Sequence, residues 1–394
     1  MNTLTIKLEK KILPTNRGSN GSVTIRPPAP GTARQNLVRV NPAGGEDPAN
    51  SIGVYWSWAC RKVHSSAGLE LETAPAAAPA PGDVALVRVG AMGFHKHITT
   101  AENRRLRLYP GAQFIGVFGN RYATDAFEAE VEGTETIGLL TGAGMLGTMK
   151  SKFGNMSDPT QVEFIGYVRD SSGDRLNLKR RLFRPSAVRK HPGNLIYVVG
   201  TSMNSGKTTT CTRLIRGLSG LGLKVAACKL TGSVSNHDPD ELAAAAAQKV
   251  TDFSDYGFAS TYLASKEDLL DLFRLMLADV ADESPDVVLM ELADGLLQRE
   301  TAMLLRDPEI KQAGRGVVLS AAGSISALWA TDHLRELGHR VLAVSGRITS
   351  SPLAVREFIA NDSNTPVASS LNIQESPLNT GVELAAKVNA CLQE

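Results

Sequence analysis

The sequence predicts an α/β fold: a mostly parallel sheet flanked by helices, preceded by a smaller, β-rich N-terminal domain. Three observations carry this. Residues 194–394 alternate short β-branched runs with helix-compatible runs, the rhythm of βαβ units. Residues 82–188 hold only short β-type runs, separated by turn signals. Between them Asn194 to Cys211, NLIYVVGTSMNSGKTTTC, joins an apolar strand to a loop of small residues, a Gly-Lys-Thr and a helix. A chain of 394 residues is also too long for one ordinary core. The expected division is an arm with a Pro/Ala-rich linker over 1–81, a β-rich barrel or sandwich over 82–190, and an α/β domain over 191–394.

The arm is the least informative part. Met1 to Lys11 alternates polar and apolar residues like a strand. Pro, Gly, Ser and Asn dominate Leu13 to Gly53, and Ala74 to Pro81 is the linker, APAAAPAP. The aromatic patch Tyr55-Trp56-Ser57-Trp58 reads as a pin holding the arm on a neighbouring domain; the alternative is a stacking platform for a ligand. In the β-rich part, strands are expected at Val84 to Val89, Arg104 to Leu108, Phe114 to Phe118, Ala126 to Val131 and Val162 to Val168. Gly119-Asn120-Arg121-Tyr122-Ala123 is a polar turn carrying one Arg and one Tyr. Thr141 to Gly147, TGAGMLG, reads as a tight β-turn or a close backbone approach. His95 and His97 would share a strand face and could ligate a metal, but no third ligand is evident, so they read as ordinary surface histidines.

In the α/β part the predicted order is strand 195–200, helix 207–220, strand 224–230, an Ala-rich helix 238–250, helix 266–279 and strand 286–290. Helix 296–305, strand 316–319, helix 326–337, strand 340–344, helix 353–360, a short strand 366–368 and a closing helix 382–392 follow. Parallel strands of this kind bind ligands at their carboxyl ends.

Composition excludes several classes. Hydrophobic residues make up 42% and charged residues 21%, as in a soluble globular protein. A net charge of +2 does not argue for nucleic acid or a membrane surface as partner. The four cysteines, Cys60, Cys211, Cys228 and Cys391, form no C-x-x-C pair, so neither a zinc site nor a disulfide framework is indicated. No apolar run has membrane-spanning length and no signal-peptide core is visible, so a cytoplasmic location is expected.

The chemistry gathers on the central stretch. Strand, small-residue loop, Gly206-Lys207-Thr208-Thr209 and helix make a phosphate-binding P-loop. The loop residues Gly200, Thr201, Ser202, Met203, Asn204, Ser205 and Gly206 let backbone N–H groups point at phosphate oxygens. The helix N-terminus adds its partial positive charge. Lys207 would reach the β- and γ-phosphates, and the Thr208 hydroxyl would hold Mg²⁺. The loop is one residue longer than G-x-x-x-x-G-K-T, because Thr201 stands where that pattern needs Gly. A second acid is needed near the metal, and Glu291, at the end of Val287-Val288-Leu289-Met290, is placed for it, directly or through water. Asp238, ranked above Asp240, is a further candidate ligand. Lys229 closes the apolar run Val225 to Cys228, and an ammonium there needs an anionic partner, the γ-phosphate or a substrate carboxylate.

These residues resemble a family. The loop GTSMNSGKT looks like that of dethiobiotin synthetase and its P-loop relatives. Lys229-Leu230-Thr231-Gly232 is similar to the lysine before Thr-Gly in that family, and Glu291-Leu292-Ala293-Asp294-Gly295 to its later acidic strand end. Ser202 departs from the family's loop acid. Its relatives include two-domain proteins with an added N-terminal domain. The resemblance implies Mg-ATP, with Thr208, Glu291 and an acid near Asp238 on the metal, and Lys207 and Lys229 on phosphate and substrate. It implies an ATP-dependent ligase that phosphorylates a small-molecule carboxylate or amino acid and forms a carbon–nitrogen bond. A homo-oligomer is expected. A small-molecule kinase, or a switch ATPase acting on a protein partner, would use the same residues.

Overall fold

The computed structural model describes residues 37–40, 54–64, 69–185, 194–368 and 382–393. The strand-like Met1 to Lys11 lies outside them.

Among the described residues the N-terminal half is a nine-stranded sheet with a two-stranded ribbon beside it. Its first strands are β1 (Leu37–Val40), β2 (Tyr55–Trp56), β3 (Leu69–Glu72) and β4 (Val84–Val89). The ribbon is β5 (His97–Thr99) with β6 (Arg105–Arg107). Then come β7 (Gln113–Phe118), β8 (Phe127–Glu130), β9 (Ile137–Leu139), β10 (Met145–Lys152) and β11 (Thr160–Val168). β11 pairs with β4, β4 with β7, β7 with β10, β10 with β9, and β9 back with β11. The ring closes, so of the two expected forms this is a barrel. The stretch expected to be an arm also contributes: β1 and β3 extend the sheet, and β2 lies parallel to β7 with Trp56 buried. Short strands inside a Pro/Gly-rich stretch leave too little periodicity to be read from sequence.

Alternation along the barrel strands decides what each face does. Ala85, Val87, Val89, Phe114 and Phe118 point into the barrel. Val84, Leu86, Ile115 and Val117 point outward, into a core shared with Val234, Phe253 and Phe258 of the second half. The barrel is thus fixed to the rest of the molecule by one continuous apolar layer.

A short helix α1 (Leu178–Leu182) leads on. The second half is a six-stranded, all-parallel sheet among the described residues, in the order β14-β13-β15-β12-β16-β17. In chain order these are β12 (Asn194–Gly200), β13 (Val225–Lys229), β14 (Lys249–Asp252), β15 (Val287–Glu291), β16 (Gly314–Ser320) and β17 (Val341–Ser345). Helices α2 (Lys207–Gly220), α3 (His237–Ala244), α4 (Lys266–Ala281), α5 (Arg299–Leu305), α6 (Pro308–Ala313), α7 (Ser324–Glu336), α8 (Pro352–Asn361) and α9 (Val382–Gln393) connect and cover them. Ile196 and Val198 face α2 and α9, while Leu195, Tyr197 and Val199 face the opposite side. The Ala-rich run expected to be helical to residue 250 stops at Ala244. Ala246 takes a left-handed φ of 73°, and Lys249–Asp252 then pairs with β13 as an edge strand. Helix propensity predicted the former; strand pairing decided the latter.

Candidate active site

β12 ends at Gly200, and the chain passes through Thr201 to Gly206 before entering α2. Asn204 and Gly206 take positive φ, 57° and 101°. Gly206 also faces Gly346, whose own Cβ would sit 2.4 Å from the Ser205 carbonyl; only two glycines allow that approach. Thr201 N–H donates to Ser320 O, and Arg347 N–H to Ser205 O, so strands β16 and β17 brace the loop. Ser205 Oγ is buried with no hydrogen-bond partner. Lys207 is buried; its Nζ donates to the carbonyls of Ser202 and Asp294, and burial lowers its pKa. An ammonium arched over its own loop in this way is the P-loop arrangement. The molecule has a P-loop NTPase fold.

The neighbouring strand ends supply charge. Parallel register sets Lys229 beside Glu291, and Glu291 beside Val198 of the P-loop strand. Lys229 Nζ lies 3.3 Å from Glu291 Oε1 and also bonds Asp238 Oδ2. Burial alone would lower its pKa, but Glu291 and Asp238 outweigh that and hold the ammonium well above its ordinary value. Asp238 is correspondingly held below the ordinary carboxylate range by Lys229, against its burial. Lys229 thus meets two of the chain's own carboxylates, Glu291 through the register of adjacent strands and Asp238 from the first turn of α3. Glu291 Oε2, by contrast, is buried and without a partner, an oxygen open to a cation or its water. Among the described residues no cluster of three His, Cys, Asp or Glu side chains could hold a metal by itself. Thr208 and Thr209, at the start of α2, are partly buried.

The barrel closes over this edge. A cavity of about 370 Å³ lies between the halves, lined by Met203, Lys229, Asp238 and Asp294 on one side and by His95, Arg121, Tyr122 and Thr141 on the other. The loop bearing Arg121 rests on the P-loop itself: Asn204 Nδ2 donates to Asp125 Oδ2 at 2.6 Å, and Met203 packs with Ala123, Ala126 and Phe127. Burial raises the Asp294 carboxyl to about 6. His95 is not the surface residue expected. Its Nε2 lies 2.8 Å from Leu140 O, and burial, reinforced by Arg121, lowers its pKa to about 4. The glycine-rich turn places Thr141 at the cavity wall, its hydroxyl buried and unpartnered. Sequence reading marked the polar turn around Arg121 but could not bring it to a loop 80 residues later; a lone Arg in a turn carries no such signal.

No protein-family model matches the chain, and no curated protein matches it. Solved structures do. The signal recognition particle receptor FtsY from Elizabethkingia anophelis is 18% identical, covers 52% of this chain and 68% of its own, and has a TM-score of 0.34. The FtsY of Thermotoga maritima is 15% identical over 53% of this chain and 74% of its own, with a TM-score of 0.33. Chloroplast FtsY from Physcomitrella patens is 15% identical, over 53% and 70%, with a TM-score of 0.32. The partner expectation is corrected by these findings: the structures named are FtsY proteins, that of Elizabethkingia a signal recognition particle receptor, and they do not support a small-molecule carboxylate or amino acid as partner. Among the described residues no helix is long and apolar enough to cross a membrane.

Proposed function

We propose that this chain is a magnesium-dependent ATPase that works as a nucleotide-dependent switch on a protein partner, with the barrel as the part that senses nucleotide. The carrying observation is the Asn204–Asp125 hydrogen bond, because it ties the tip of the P-loop to the barrel loop 119–126. Loop amides, the α2 N-terminus and Lys207 would hold the phosphates. Thr208 and the open oxygen of Glu291 would hold the magnesium, which supplies charge neutralisation at the phosphates. Asp238 would keep Lys229 in place rather than bind metal. ATP rather than GTP is favoured because Ser345-Gly346-Arg347 stands at the end of β17, where a guanine-reading Asn/Thr-Lys-x-Asp would be expected. The ligase reading is not carried forward, since it needs the small-molecule partner that is not supported. Three buried free thiols, Cys60, Cys211 and Cys228, suit a reducing compartment such as the cytoplasm.

A switch requires that nucleotide change what the barrel does. Hydrogen exchange of the full chain, with and without magnesium and a non-hydrolysable ATP analogue, tests this. Protection is expected in residues 200–210 and also in 119–130. Protection confined to the P-loop half would refute the switch; none anywhere would refute the nucleotide site.

A further inference from the structure

Arg121 is half-buried at the barrel wall, and no carboxylate pairs with its guanidinium. Its Nε has no hydrogen-bond partner. Its Nη1 lies 3.4 Å from His95 Nε2, but that nitrogen is 2.8 Å from Leu140 O. A carbonyl oxygen can only accept, so His95 Nε2 carries the proton and offers Arg121 no lone pair. The Phe127 ring, 5.5 Å from Cζ, gives the guanidinium a π-face but no acceptor. Among the described residues no carboxylate lies within ion-pair distance; Asp125 and Asp294 act on it only from farther away. A guanidinium nitrogen buried without an acceptor is costly, and an anion entering the site would offset that cost. The anion must enter the cavity that Arg121 shares with Met203 of the P-loop, Lys229 and Asp294. Thr141, with its unpartnered hydroxyl, is a second donor on the same wall.

We infer that Arg121 is a catalytic residue supplied by the barrel, whose guanidinium holds the oxygens of the terminal phosphoryl group during its transfer. This rests on the nucleotide site proposed above. In hydrolysis the γ-phosphorus gains a bond to the water oxygen and loses its bond to the bridging oxygen of the departing diphosphate. The water proton leaves with the phosphate. Arg121 exchanges no proton; it neutralises oxygen charge, as an arginine supplied in cis does in other P-loop switches. The Asp125–Asn204 bond and the packing of Met203 set its loop on the P-loop, so release of the barrel would withdraw it.

The test compares the full-length wild type with Arg121→Ala, Arg121→Lys and Lys207→Ala, in magnesium. Calorimetry reads the affinity for ADP alone, for ADP with aluminium fluoride as a mimic of the phosphoryl group in flight, and for inorganic phosphate alone; turnover is measured alongside. In Arg121→Ala, ADP affinity should stay at the wild-type level. The extra affinity given by fluoride should disappear, and turnover should fall about a thousandfold, the lower end for losing such an arginine. Arg121→Lys should restore only part, since a point charge does not replace a planar fork. If Arg121→Ala does not fold, Arg121→Lys decides: an undiminished fluoride gain overturns the inference. So does a fluoride gain that survives in Arg121→Ala, or phosphate binding without nucleotide that depends on Arg121, which would assign the guanidinium to a separate anion. Wild-type turnover in Lys207→Ala would instead overturn the nucleotide site, and this inference with it.

Discussion

The two walls of the central cavity treat positive charge in opposite ways. On the wall built from strand ends, Lys229 is buried between Glu291 and Asp238, and two carboxylates more than balance it. On the barrel wall, Arg121 is half-buried beside a histidine that is itself a donor, with no carboxylate at ion-pair distance among the described residues. The difference separates a cation already paired within the fold from one whose Nε has no acceptor. Both line the same cavity, so position alone would not reveal it; the tally of acceptors does.

The contrast breaks most visibly in stability. Lys229→Ala leaves two carboxylates without their shared cation and should cost about 3–5 kcal/mol in chemical denaturation of the nucleotide-free protein. Arg121→Ala, measured in the same way, should cost little or nothing, because it removes a half-buried charge that no carboxylate pairs with. Equal losses in the two variants would mean that Arg121 has a structural counter-charge and would erase the distinction.

A second effect comes from Asp294, between the two walls. Its carboxyl titrates near 6 in the folded protein, raised from 3.8 by burial. Between those values the folded protein holds a proton that the unfolded chain has released. Stability should therefore fall as pH rises from about 4 to about 6, by about 3 kcal/mol in total, and level off above. Asp294→Asn should remove that fall. A pH profile unchanged by the substitution would mean that the carboxyl is solvated and the cavity more open than its lining implies.

The smallest expected effect sharpens the link between the walls. Asp125→Ala removes one exposed hydrogen bond and should cost about 1 kcal/mol of stability. It should nevertheless abolish nucleotide-dependent protection of residues 119–130 in hydrogen exchange. Full protection in that variant would show that Met203 packing alone carries the coupling.

Much of the α/β half was legible in the sequence. A β-branched run stopped by Gly200, a loop of small residues and Lys207 at a helix start are all local features. Local sequence therefore determines the P-loop, and the continuous apolar runs of its strands mark a sheet buried on both faces. Glu291 and Lys229 were legible as polar ends of apolar strands. That they meet was decided by parallel register across β13 and β15, a pairing of residues 62 positions apart. The barrel was legible only as short strands. Its closure depends on β9 bridging β10 and β11, which no window of sequence contains. Arg121, His95 and Thr141 were legible as a turn residue, a surface histidine and part of a glycine-rich turn. The apolar layer between barrel and sheet brings them to the P-loop, and that layer is non-directional: it fixes which surfaces meet without leaving a motif at the residues it carries into the site.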